Sequence, residues 1–155
     1  MNSPHPALVR LAAVVVVAHV AVFAGHLVVV ARIPPGLPPP TVLVLATAVN
    51  IAALLGLILL WRSRFGAAGA VILVSMVVML AIGVVAHFAG SGPESVFGVP
   101  ASDWALWFRV TAVALIVLEV IGCWIGIQAL LARGRGQGSR AADQHAVTPA
   151  RGVRP

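Results

Sequence analysis

WALWFRVTAVALIVLEVIGCWIGIQALLAR, from Trp104 to Arg133, decides how this chain is read. Between Arg109 and Leu131 it runs 23 residues with a single carboxylate, Glu119. As a helix that length is about 34 Å, enough to cross a hydrocarbon core of about 30 Å. Ser102 or Asp103 can cap its start. Trp104, Trp107 and Phe108 follow, where aromatic rings suit a water–membrane interface. Arg133 and Arg135 close the other end. Glu119 lies 10 residues after Arg109 and 14 before Arg133, near mid-depth. A charged, unpaired carboxylate there costs about 2.5 kcal/mol or more. Glu119 is therefore expected to be protonated, paired or turned to a wet cavity. Gly122 and Gly126 follow on the same helical face, so that face should receive a neighbouring helix and not lipid.

The rest of the chain agrees with a membrane solvent. Of its 155 residues 61% are hydrophobic and 9% charged, and the mean hydropathy is +1.06. A soluble domain with one core does not have this composition. Three more apolar runs of helix length precede the first-quoted one. The expected spans are 8–31, 41–61, 66–89 and 106–132. The first is long for a signal-peptide core; a cleavage between Ala24 and Gly25 is the alternative to an intact helix. A link from Arg32 to Pro40 holds five prolines and cannot be helical throughout. Residues 1–7 form a short lead. Residues 134–155, rich in Gly, Arg, Ala and Pro without apolar periodicity, are expected to be a disordered basic tail.

The fold class predicted is all-α: an integral membrane four-helix bundle with up-down-up-down order. Arg10, Arg62, Arg64, Arg133 and the tail fall on one side, and Arg32 and Arg109 on the other. The Arg-rich side should be cytoplasmic, with both termini inside. All ten basic residues are Arg and none is Lys, which we read as the coding bias of a GC-rich bacterial genome. The expected location is thus a bacterial cytoplasmic membrane. Five of the ten Arg lie from Arg133 onward. That cluster suits anionic lipid of the inner leaflet. With no basic helix face and no aromatic–basic interleaving, nucleic acid is not expected as a partner. A second copy or a membrane-complex partner is the remaining expectation. The single Cys123 cannot form an intramolecular disulfide.

Polar residues inside the spans sort into two layers. His19, Asn50 and Glu119 sit near the centres of their spans, with Ser75 close by. His26 and His87 sit nearer the outer end, with Asp103 and Arg109 at the mouth. Buried ionisable groups in a membrane are candidate sites by default. One reading is a proton or ion path through Glu119 and His19. Another is a b-type haem held between His26 and His87, with Gly83 leaving room for the macrocycle. A third is copper on Met76, Met79 and His87. Against these stands a structural reading, in which His19, Asn50 and Glu119 bond to one another and fix helix register, typically at about 0.6 kcal/mol per bond. No phosphate loop, His-Glu-x-x-His, Cys-x-x-Cys or Gly-x-Ser-x-Gly motif occurs. The sequence therefore favours an accessory or structural membrane protein and not an enzyme. The alternative is a redox or proton-handling subunit, with haem b as its cofactor in the redox case.

Overall fold

A computed structural model describes residues 6–146, apart from 35, 91 and 93, and the side chains up to residue 133. All regular structure in it is helical: α1 (Pro6–Val30), α2 (Pro40–Trp61), α3 (Phe65–His87) and α4 (Ala105–Ala146). Each has a stretch long and apolar enough to span a membrane: Pro6–Val30, Pro40–Trp61, Phe65–His87 and Ala105–Arg133. The punctuation is local. Pro40 opens α2 where its missing N–H would have no partner anyway. The α2–α3 turn closes in three residues, with Ser63 at φ 57° and the Arg62 N–H bonded back to the Ile58 carbonyl.

Helix α4 runs on to Ala146, so residues 134–146 depart from the expected disordered tail. Extending an existing helix needs no new nucleus, and Ala, Arg and Gln extend it well. Residues 147–155 of that expected tail lie outside the described residues.

Each helix has two main neighbours. The packed pairs are α1/α2, α2/α3, α3/α4 and α1/α4, so the four form a ring with α1 diagonal to α3 and α2 diagonal to α4. The closest approach is between α3 and α4. A methyl group added at Gly69 would lie 2.7 Å from the Gly126 carbonyl oxygen, and one at Gly126 would lie 2.8 Å from the Leu73 nitrogen. Gly122 receives Met76 in the same way. The Gly122/Gly126 face thus takes a helix, and that helix is α3. Contact registers run in opposite senses: position 126 of α4 meets 69 of α3, and 119 meets 83.

Apolar side chains such as Val14, Val44, Val85 and Leu106 face outward around the ring, as lipid-facing positions do. Inside, Val16, Leu57, Ile72, Met76 and Ile125 form the main core. A second cluster of Val29, Ile33, Val99 and Phe108 closes one end. There the segment after α3 folds back over the bundle: the Val96 N–H bonds the His87 carbonyl, and Arg109 Nε–H bonds the Val96 carbonyl. We call this the loop end.

Candidate functional site

Among the described residues six polar side chains are buried: His19, His26, Asn50, Ser75, Ser95 and Glu119. Four of these were expected from their depth in the spans to carry chemistry, and they separate into three places.

At mid-length, α1 and α4 bring His19 Nε2 to 3.2 Å from Glu119 Oε1, with both residues 1% exposed. His19 Nδ1 and Glu119 Oε2 have no hydrogen-bond partner among the described residues. Buried polar atoms nearly always have a partner, so an unmet carboxylate oxygen at this depth calls for a physical explanation. Gly83 of α3 supplies part of it: a methyl group there would sit 3.7 Å from Glu119 Oε2, so the missing side chain leaves space beside the carboxylate.

Asn50 does not join this pair. Its amide donates to the Ala46 carbonyl one turn back at 2.9 Å and faces Met79 Sδ at 4.0 Å. Asn50 stands on α2, diagonal to α4, and its amide is taken by the backbone of its own helix. The proposed three-way bond is thus reduced to the His19–Glu119 pair.

At the loop end, His26 of α1 and His87 of α3 meet across the diagonal. Their Nε2 atoms are 3.3 Å apart, with ring centres at 5.0 Å and planes at 75°. Each ring is held from behind. His26 Nδ1 is 2.8 Å from Thr111 Oγ1, and His87 Nδ1 is 3.0 Å from the Glu94 carbonyl oxygen. Phe108 packs on both rings, at 5.4 and 5.3 Å. His26 is buried and His87 half-buried. Two axial imidazoles on one haem iron need their nitrogens about 4 Å apart on one line, from bonds of about 2.0 Å each. The pair as it stands is closer than that and bent.

A partly open cavity of about 100 Å³ joins the two places. Its wall carries Glu119, Gly83 and Met79 toward mid-length and His26, His87, Glu94 and Phe108 toward the loop end, with mainly apolar residues elsewhere. Met76 is not on this wall; it is fully buried against Gly122. Met76 and His87 therefore do not converge on one copper ion. Asp103 and Arg109 are exposed near the loop end, and Arg109 is used in holding the loop.

Sequence reasoning missed Thr111, Phe108 and the Glu94 carbonyl as parts of the histidine pair. Thr111 was findable as the one hydroxyl in the quoted run. A backbone carbonyl brought in by a loop leaves no sequence signal. Comparison with protein-family models, with curated proteins and with solved structures returns no match.

Proposed function

We propose that this chain is a multi-pass protein of a bacterial cytoplasmic membrane, an accessory subunit whose buried His19–Glu119 pair exchanges protons with the cavity. The observation that carries this reading is Glu119: its Oε2 is buried without a hydrogen-bond partner among the described residues, and the residue lines a cavity that reaches the loop end. Intramembrane carboxylates that face a cavity are the usual stations of proton movement. A neighbouring imidazole can accept or return the proton without a large motion.

The orientation in this proposal is up-down-up-down with both termini cytoplasmic. The opposite contact registers of α3 and α4 support the alternation. Arg10, Arg62, Arg64 and Arg133 at the end away from the loop support the cytoplasmic assignment. Anionic inner-leaflet lipid is the partner proposed for the Arg-rich C-terminal stretch. As an accessory subunit the chain would work beside a second copy or a membrane-complex partner, and not as a catalyst.

The test is infrared spectroscopy of the folded protein in lipid, moved from H2O to D2O. The expected result is a carboxylic C=O band that shifts on exchange within minutes and is absent in Glu119→Gln. Gly83→Ala should slow the exchange, because its methyl enters the space beside Oε2. A Glu119 band that stays unshifted for hours would mean a sealed pair that only sets helix register, and the proton-exchange reading would fall.

A further inference from the structure

The His26–His87 contact has the wrong polarity for two bare imidazoles. The Glu94 carbonyl can only accept, so His87 Nδ1 carries a hydrogen. Thr111 has one hydroxyl hydrogen, and it goes to the Trp107 carbonyl at 2.7 Å or the Phe108 carbonyl at 3.2 Å. Toward His26 Nδ1 the Thr111 oxygen therefore accepts, and His26 Nδ1 also carries a hydrogen. In the neutral state each Nε2 is then a lone pair, and the two lone pairs converge at 3.3 Å. Something electron-poor belongs between them.

The geometry selects what that is. Nitrogens placed nose to nose at this separation would hold the ring centres about 5.6 Å apart, the arrangement a straight shared-proton bond requires. The centres are 5.0 Å apart, so at least one ring is turned off the line between the nitrogens. Two metal–nitrogen bonds of about 2.0–2.1 Å meeting at a tetrahedral angle give about 3.3–3.4 Å between nitrogens and about 5.2 Å between ring centres. The first value matches the 3.3 Å observed and the second lies close to the 5.0 Å observed. The bonds at Nδ1 fit as well: histidines that bind metal ordinarily donate their other ring N–H to a carbonyl or similar acceptor, which fixes the tautomer.

We propose that Nε2 of His26 and Nε2 of His87 bind one divalent ion of the zinc class along a tetrahedral edge, its other two positions opening to the cavity. Among the described residues no three His, Cys, Asp or Glu side chains gather to hold a metal. The protein thus supplies two ligands, and water or a small anion fills the rest. Structural zinc sites close all four positions with protein. A site with two open positions exchanges its ion, so its work is capture and release of metal at the loop end and not bracing of the fold. This assignment is separate from the His19–Glu119 proton pair and stands or falls without it.

The test uses the full chain, without a polyhistidine tag, in detergent. His5 and His145, near the chain ends, are replaced by Ala, which leaves His19, paired with Glu119, as the one other imidazole. Co2+ is the probe, because its tetrahedral complexes absorb visible light strongly, and Zn2+ is the competitor. The expected result is one Co2+ per chain with a tetrahedral spectrum, displaced by Zn2+ and lost in His26→Ala and in His87→Ala. Thr111→Val keeps the shape and both imidazoles but removes the acceptor behind His26. It should weaken binding by about 10- to 100-fold with the helical spectrum and melting unchanged. Binding that survives loss of His26 and His87 overturns the proposal, as does absence of binding by the folded starting protein. A Soret band in protein from haem-supplied cells, lost in the same two variants, also overturns it, since the pair would then hold haem iron.

Discussion

Replacing both members of the His19–Glu119 pair, singly and together, measures what the pair is. The cycle takes His19→Leu, Glu119→Met and the double variant, which keep side-chain length roughly in place. Two limits bound the coupling. Neutral hydrogen bonds between membrane helices average about 0.6 kcal/mol and reach about 1.7. Breaking a buried ion pair costs about 3–5 kcal/mol, because one charge is left alone. The structure decides between them on two grounds. The N···O distance is 3.2 Å, whereas charge-assisted N–H···O bonds shorten to about 2.7–2.9 Å. Further, an ion pair repays its desolvation only if the remaining protons and lone pairs are satisfied, and here His19 Nδ1 and Glu119 Oε2 have no hydrogen-bond partner among the described residues. The expected coupling is therefore that of a single hydrogen bond between membrane helices, about 0.6–1.7 kcal/mol. The assay is reversible unfolding in mixed micelles or steric trapping in bicelles, with all four proteins compared in one lipid mixture. A coupling of about 3 kcal/mol or more would refute this expectation and make the two an ion pair.

The glycines give a second pair of expectations. Gly126→Ala should destabilise the bundle by about 1–3 kcal/mol, the usual cost of overpacking, because its methyl would meet Leu73 backbone at 2.8 Å. Gly25→Ala should cost nothing in the same unfolding assay, since nothing lies within 4 Å of it; an equal loss in both would refute the α3–α4 approach as the cause. Asn50→Leu should lower stability by no more than about 1.7 kcal/mol, since its amide bonds its own helix; a loss well above that would return Asn50 to the central site.

What the sequence could reveal here was depth along a helix, and what it could not reveal was angle around the bundle. Glu119 and His19 were legible as partners because a polar group at mid-membrane must find company, and few were on offer. Gly122 and Gly126 marked a helix contact because they sit on one face, and α3 fills it. Asn50 has the same depth as Glu119, but the ring order puts α2 on the opposite corner from α4, and its amide is taken by its own backbone instead. No hydropathy profile carries that order; it comes from how four particular surfaces of small and large residues fit. His26 and His87 show the reverse case. Their shared depth did bring them together, across the diagonal, because Phe108, Thr111 and the folded-back loop hold both rings from the sides and behind. Those holding groups include a main-chain carbonyl, and a carbonyl belongs to every residue. The geometry of the pair, two ring nitrogens 3.3 Å apart with His87 held from behind by that carbonyl, therefore exists only once the loop has closed over the bundle.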